Sequence, residues 1–239
     1  MTSENNKFLR GLSDGIPICL GYLSVSFAFG IFAVANGLSV FQALLISMTN
    51  VTSAGQLAGV PIIAAAGSLA EVAISQLVIN LRYALMSVSL SQKLGKSVKL
   101  IDRFLIAFVN TDEVFAVASG KDLAVGKRYL YGLILTPYLG WSLGTLLGSV
   151  AGNILPAIVI SSLGIAIYGM FIAIVVPKVK KEKSTALCVL LAVILSCCFK
   201  YIKVLSIVPS GFVIIICAIL SSALFAVVSP ISKEVESNE

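Results

Sequence analysis

Residues 69–92 read LAEVAISQLVINLRYALMSVSLSQ, an apolar stretch whose centre carries Asn80 and Arg82. About 20 helical residues, each rising ~1.5 Å, cross the ~30 Å hydrocarbon core of a bilayer, so this stretch is long enough to span a membrane. A charged side chain at the centre of a spanning helix costs at least about 2.5–3.5 kcal/mol. We therefore expect Arg82 to face an anionic partner, water or a ligand.

The composition is that of an integral membrane protein. Of the 239 residues, 58% are hydrophobic and 12% are charged, whereas charged residues make up about 25% of a soluble domain. The long apolar runs are rich in Leu, Ile, Val and Ala, which predicts an all-α fold, a polytopic helical bundle rather than an outer-membrane barrel. The chain is expected to form a single transmembrane domain over residues 1–239.

Several classes of function are not supported by the residues present. The cations behind the net charge of +6 lie in short loops between apolar runs, where they set topology and contact membrane lipid, so no nucleic-acid partner is expected. The five cysteines include no C-x-x-C pair and the chain has no histidine. A zinc site and a Cys–His catalytic pair are therefore not expected. The sequence predicts no metal, no cofactor and no enzymatic activity.

Six apolar runs are predicted to cross the membrane fully, namely 16–36, 69–92, 129–152, 156–176, 184–205 and 209–228. Asp14 and Pro17 predict the start of the first helix, because proline lacks only an N–H that a first turn leaves unpaired. The small residues Gly21, Ser24 and Ala28 predict close approach of another helix. A face that lines a substrate site is the alternative for these three.

Two further runs, 40–67 and 104–119, differ from ordinary spans. The first has 28 residues and is interrupted by TNVTSAGQ at 49–56, and the second has 16 residues with NTDE at its centre. For 40–67, a continuous helix and two half-helices that meet at a break are both open. Non-helical backbone at membrane depth is tolerated where it is buried in protein or lines a cavity.

Charge bias favours the broken form. The basic loops are 93–103, 121–128 and 177–183. If the N-terminus is cytoplasmic, these loops and the C-terminal tail share its side only if 40–67 and 104–119 each return to the side from which they enter. Eight ordinary spans would leave the loop 93–103 outside. The sequence therefore predicts about six full spans and two broken or re-entrant elements, with both termini in the cytoplasm.

The two interrupted runs also resemble each other. LLISMTNVTSA from Leu44 aligns with FLIAFVNTDEV from Phe104, with Asn50 and Asn110 in register at an offset of 60 residues. Inverted repeats that carry broken helices are typical of secondary transporters. The alignment predicts such a repeat.

Several motifs stand out, namely Gly11, Asp14 and Pro17, GY at 21–22, FAFG at 27–30, NLR at 80–82 and TDEVF at 111–115. Together they resemble the AzlC family of branched-chain amino acid exporters. Tyr83 stands where many members have histidine, and SAGQ at 53–56 departs from the family's G-A-x-Q because its glycine falls at 55. The resemblance covers residues 11–120. It implies a secondary carrier in the cytoplasmic (inner) membrane of a bacterium, which exports leucine, isoleucine and valine and works with a small membrane protein of the AzlD type.

An amino acid substrate needs a cation or N–H groups for its carboxylate and acceptors for its ammonium. Arg82 can offer a bidentate fork, and a half-helix N-terminus near residues 54–56 can offer N–H groups. The predicted substrate-binding residues are Arg82, Asn80, Asn50, Gly55, Gln56 and Asn110. Coupling to a proton or another cation needs an embedded carboxylate, which predicts Asp112 and Glu113. Neighbours on a helix point about 100° apart, so these two cannot both face Arg82.

The core of the substrate site is expected within residues 11–152, with C-terminal spans in 153–228 and a polar tail at 229–239. The simpler alternative for Arg82 is a structural ion pair with Asp112 or Glu113. For Asn50 and Asn110 it is hydrogen bonding between helices. A passive small-solute channel, or a non-transporting subunit of a two-component complex, is the alternative to a carrier.

Overall fold

The computed structural model describes residues 7–121, 124–156 and 182–228, with isolated residues between. The helices are α1 (Phe8–Ala35), α2 (Val40–Thr49), α3 (Ser53–Ala64), α4 (Leu69–Ser91), α5 (Leu100–Phe108), α6 (Asp112–Ser119), α7 (Lys127–Gly152), α8 (Lys183–Tyr201) and α9 (Ser210–Val228), with a 3-10 turn at Leu205–Ile207. In this part of the chain four helices, α1, α4, α7 and α8, are long and apolar enough to cross a membrane. The predicted polytopic helical bundle is confirmed.

Most of the predicted spans correspond to observed helices. Runs 16–36, 69–92, 129–152 and 184–205 match α1, α4, α7 and α8, and run 209–228 matches α9. The run 156–176 lies almost entirely outside the described residues, and the tail 229–239 lies wholly outside them.

The predicted start of the first helix is wrong. α1 already begins at Phe8 and holds Pro17 in its interior, which membrane helices tolerate because neighbouring groups can satisfy the freed backbone. Asp14 does not cap the helix, since its Oδ2 accepts hydrogen bonds from Lys121 Nζ and the Tyr129 hydroxyl, each at 2.8 Å. The additional turns of α1 pack on α7.

α1 and α7 run in the same direction and form the scaffold of the bundle. A Cβ on Gly11 would lie 2.0 Å from the Tyr129 carbonyl oxygen, and one on Gly148 would lie 1.9 Å from the Phe27 carbonyl oxygen. Such close backbone contact is how membrane helices pack when lipid is as apolar as their side chains. Gly21 does not take part, because a Cβ there would meet nothing within 4 Å. The packing role predicted for Gly21 is therefore wrong.

The run 40–67 is broken and turns back on itself. α2 starts beside the C-terminal part of α1, where Ala43 belongs to a core cluster with Phe29, and α3 returns to the same cluster at Val60. The break at 50–52 reaches the middle of α1, because Val51 belongs to the cluster that holds Tyr22. We call α2, the break and α3 the first hairpin.

The run 104–119 behaves in the same way from the opposite end. α5 begins at Leu100, four residues earlier than predicted, beside the start of α7, where the Tyr131 hydroxyl donates to Asp102 Oδ1 at 2.6 Å. The break at 109–111 reaches the middle of the bundle, where Thr111 meets Tyr22. α6 then returns to the starting end, where Lys121 meets Asp14. We call α5, the break and α6 the second hairpin, and both hairpins are re-entrant relative to the α1–α7 scaffold.

α4 runs antiparallel to α1. Just beyond its C-terminal end, Lys93 Nζ donates to the carbonyl oxygens of Ser119 and Lys121, at 2.5 and 2.8 Å. Residues 93–99, Lys121 and residues 124–127 therefore lie at the N-terminal end of α1, as the charge bias predicted. α1 and the first hairpin are followed by α4 and the second hairpin, which run in the opposite direction. This is the arrangement expected of the predicted inverted repeat.

Candidate functional site

The tips of the two hairpins meet beside the middle of α4. In each tip a threonine N–H donates to the carbonyl two residues earlier, Thr52 to Asn50 at 2.9 Å and Thr111 to Val109 at 3.0 Å. Each threonine is then the N-cap residue of the following half-helix, a position that favours threonine. Both runs therefore break next to the aligned asparagines.

Two cavities border the hairpin tips. The main cavity, of about 600 Å³, lies between both tips, α1, α4 and Trp141 of α7. Its apolar wall includes Ile18, Val25, Val51 and Ile79, and its charged groups are Arg82, Asp112 and Glu113. A second cavity of about 180 Å³, the inner cavity, lies between the tips and α4.

Arg82 forms an ion pair with Asp112 through Nη1, and its Nη2 donates to the Tyr83 hydroxyl at 3.0 Å. The Arg82 and Asp112 side chains remain 46% and 49% exposed. The predicted pairing of Arg82 with a carboxylate of the second hairpin is confirmed for Asp112. Because the pair is open to the main cavity, a ligand there can reach the guanidinium.

Glu113 has a different partner. The Tyr22 hydroxyl lies 2.5 Å from Glu113 Oε2 and 2.6 Å from Thr111 Oγ1. A hydroxyl carries one proton and an ionised carboxylate can only accept, so Tyr22 donates to Glu113 and accepts from Thr111. The neighbouring carboxylates thus diverge as helix geometry requires, one toward α4 and the other toward α1.

Helix ends give the main cavity an uneven electrostatic character. The N-termini of α3 and α6 both border it, at residues 52–54 and 111–113. The first turn of α6 holds two carboxylates, whereas that of α3 holds none. Because a helix N-terminus carries about half a positive charge, the α3 end and Arg82 together favour an anion. Glu113 favours a cation.

The other predicted site residues are not in the main cavity. Asn50, Asn80 and Asn110 border the inner cavity. Gly55 and Gln56 border neither of these cavities. Gln56 is buried against α2, where its Nε2 donates to Ser47 Oγ at 2.7 Å, and the Gly55 carbonyl accepts from Gln76 Nε2 at 2.8 Å. These residues lie one turn into α3 and face its neighbouring helices.

Three aromatic residues of the main cavity were not among the predicted site residues. Tyr22 and Tyr83 bond the charged groups, and Trp141 packs edge-on against Tyr22 with ring centroids 5.0 Å apart. Trp141 is 3% exposed, and its indole N–H has no hydrogen-bond partner among the described residues. The sequence held one signal for it, since Trp141 is the chain's single tryptophan and lies in a glycine-rich helix.

A family model described as AzlC protein matches residues 17–155. The chain belongs to the AzlC family. The matched residues include most of α1, both hairpins, α4 and α7, so the main cavity of this AzlC protein lies wholly inside the family region. The resemblance drawn from the motifs is confirmed.

Relatives of this AzlC protein are membrane proteins. One from Archaeoglobus fulgidus is 35% identical over 180 residues, 74% of this chain and 78% of the relative. The inner membrane protein YgaZ of Escherichia coli is 28% identical over 195 residues, 78% of each chain. A membrane protein of Helicobacter pylori is 29% identical over 155 residues, 62% of this chain and 67% of the relative. No solved structure matches the chain.

Proposed function

We propose that this AzlC protein is a secondary transporter that exports branched-chain amino acids and binds them in the main cavity. One observation carries the proposal: Arg82, ion-paired with Asp112 and half exposed, borders a cavity that also holds Glu113. A zwitterionic amino acid carries a carboxylate and an ammonium group. The cavity offers charges complementary to both.

The substrate carboxylate is assigned to Arg82 and the N-terminus of α3. Arg82 connects to that end through Tyr83, whose hydroxyl lies 3.4 Å from Thr52 Oγ1. The unpartnered indole N–H of Trp141 can add a further donor. A buried donor without an acceptor costs about 1–3 kcal/mol, so a substrate oxygen would relieve that cost.

The substrate side chain is assigned to the apolar wall. This wall includes the apolar side chains of Ile18, Val25, Val51 and Ile79, which border the same cavity as the charged groups. Its volume of about 600 Å³ falls in the range of ~300–1,000 Å³ usual for small-molecule sites. The specific choice of leucine, isoleucine and valine rests on the family resemblance.

Competition for Arg82 would link substrate binding to coupling. A substrate carboxylate that binds the guanidinium releases Asp112 from its ion pair. The released carboxylate, with Glu113 beside it on α6, then becomes available to bind a proton or another cation. This exchange assigns the coupling role to Asp112 and Glu113.

The cellular setting is part of the proposal. We place the protein in the inner membrane, as the name of the relative YgaZ states for that protein, with both termini in the cytoplasm. A small AzlD-type membrane protein is proposed as its partner on the family resemblance. If transport requires that partner, the chain is one half of a two-component exporter.

A passive channel is the second candidate function. Hairpin tips that meet midway through a bundle also occur in channel pores, and here the tips meet at α4. A carrier shows counterflow and a channel does not. This difference separates the two functions.

The test is leucine counterflow in proteoliposomes, with the purified chain alone and with its AzlD-type partner. Labelled leucine that accumulates transiently against unlabelled internal leucine supports the carrier. Accumulation that needs the partner supports a two-component exporter. Leucine flux that does not saturate and shows no counterflow would support the channel. If correctly folded protein shows neither flux nor counterflow, leucine is excluded as a substrate.

A further inference from the structure

The inner cavity is bordered by neutral oxygen ligands. Its polar residues are Thr49, Asn50, Thr52, Asn80, Asn110 and Thr111, together with the Tyr83 hydroxyl. No charged side chain lines it among the described residues. This set differs from that of the main cavity, which includes the charged groups Arg82, Asp112 and Glu113.

Two residues that border this cavity have a buried amide oxygen without a donor. Asn80 Oδ1 and Asn110 Oδ1 are both buried and have no hydrogen-bond partner among the described residues. Asn110 as a whole is 3% exposed. An unsatisfied buried acceptor costs about 1–3 kcal/mol, so two such oxygens favour a ligand that offers either hydrogen-bond donors or positive charge.

The hydrogen-bond network sets the orientation of the Asn80 amide. The Gly55 carbonyl can only accept, so Gln76 must turn its Nε2 toward it, at 2.8 Å. Gln76 Oε1 then accepts from Asn50 Nδ2 at 3.1 Å and from Asn80 Nδ2 at 3.2 Å. Exchanging the Asn80 oxygen and nitrogen would place two acceptors together. Its Oδ1 is therefore the atom left without a donor.

Helix ends add negative potential at the same place. α2 ends at Thr49 and α5 at Phe108, both of which border the inner cavity, and neither helix has a basic residue in its last turn. A helix C-terminus carries about half a negative charge. The C-terminal residues of α2 and α5 border the inner cavity and not the main one, whereas the N-cap residues Thr52 and Thr111 border both cavities.

We propose that the inner cavity binds a monovalent alkali cation such as Na⁺ through the amide oxygens of Asn80 and Asn110. Broken helices bind Na⁺ with backbone carbonyls and half-helix C-termini in secondary transporters. A divalent hard cation would call for carboxylate ligands, which this cavity lacks among the described residues. The cavity volume of about 180 Å³ accommodates the ion with several waters, each of which takes ~30 Å³.

The ion would act on the main cavity through shared walls. Thr52, Tyr83 and Thr111 border both cavities, and the two threonines are the N-cap residues of α3 and α6. An ion that orders the hairpin tips would therefore order the half-helix ends that face the substrate. This inference deepens the transport function proposed above and rests on it for its coupling role, but ion binding can be measured without transport.

The experiment uses the purified full chain, melted in NaCl and in choline chloride of equal ionic strength, with radiolabelled sodium binding as a second readout. A ligand that binds the folded state raises Tm, so Na⁺ should raise Tm relative to choline. Asn80→Ala and Asn110→Ala should lose both this rise and labelled sodium. Asn36→Ala is the matched control and should keep both, because Asn36 bonds Phe32 at the end of α1 and borders neither cavity.

A second variant covers the case in which Asn110→Ala does not fold. Asn110→Asp preserves the side-chain shape and adds negative charge, so half-maximal sodium binding should shift to a lower Na⁺ concentration by tenfold or so, about 1.4 kcal/mol. Equal Tm in both salts with no retained sodium would overturn the proposal, as would a sodium effect unchanged in both alanine variants. Sodium binding without leucine counterflow would overturn the leucine carrier and leave the ion site standing.

Discussion

Arg82 on α4 and Asp112 at the first position of α6 form an ion pair that joins a full-length helix to the tip of a hairpin. Both side chains are about half exposed toward the main cavity. Exposed ion pairs contribute little to stability, so a purely structural role would give this pair little purpose. The position of this pair instead allows a ligand to replace Asp112 without unfolding the bundle.

Replacing Arg82 tests this role directly. Arg82→Ala should abolish leucine counterflow, whereas Arg82→Lys should retain part of it, because lysine keeps the charge and loses the bidentate fork. Arg103→Ala is the control and should exchange normally, since Arg103 is exposed on α5 and does not border the main cavity. An Arg82→Ala protein that inserts normally and exchanges at the parental rate would refute the site.

Neutralising Glu113 separates coupling from substrate exchange. Glu113→Gln keeps the size of the side chain and its contact with Tyr22 but removes the ionisable group. Counterflow should persist, while leucine accumulation driven by a pH gradient should be lost. The two measurements belong in the same proteoliposomes. Gradient-driven accumulation at the parental level would assign coupling to another group.

Two glycines distinguish the cavity from the scaffold. Gly21→Leu should block leucine exchange with little change in Tm, because a side chain at Gly21 enters the open cavity. Gly148→Ala should instead lower Tm, since its Cβ would lie 1.9 Å from the Phe27 carbonyl oxygen and overpacking costs about 1–3 kcal/mol. Thermal melts and counterflow on both variants check the pair. A reversed result would mean that the helix faces are wrongly assigned.

Trp141 tests the additional donor for the substrate carboxylate. Trp141→Phe keeps an aromatic ring against Tyr22 and removes the indole N–H. A hydrogen bond to a charged group is worth about 1.5–3 kcal/mol, so KM for leucine should rise roughly tenfold or more with a small change in Tm. Concentration dependence of exchange measures KM. An unchanged KM would remove Trp141 from the site.

Several features of the fold could be predicted from local properties of the chain. Hydropathy identified the spans because a bilayer requires long apolar helices. The polar residues at 49–56 and 110–113 located both breaks, and the charge bias of the loops gave their re-entrant direction. Each of these signals depends on a short stretch of sequence, and the requirements of the membrane determine the topology that follows from it.

The partners of each polar side chain required the tertiary structure. Tyr22 and Glu113 are 91 residues apart in the chain, and no pattern in either segment specifies their contact. The asparagines that sequence reasoning assigned to the substrate border a separate cavity, because the backbone path of the two breaks and the rotation of α4 decide which cavity a residue faces.

The sequence by itself determined that this protein is a helical membrane protein, where its hairpins break and that Arg82 must face an anionic partner, water or a ligand. Only the tertiary structure decided that Gly21 borders open space, whereas Gly11 and Gly148 lie in the close contact between α1 and α7. It also decided that the two hairpin tips meet at α4. The reason is physical. Helices that are apolar on every side carry little information about their rotation, and close packing between helices that are distant in sequence supplies it.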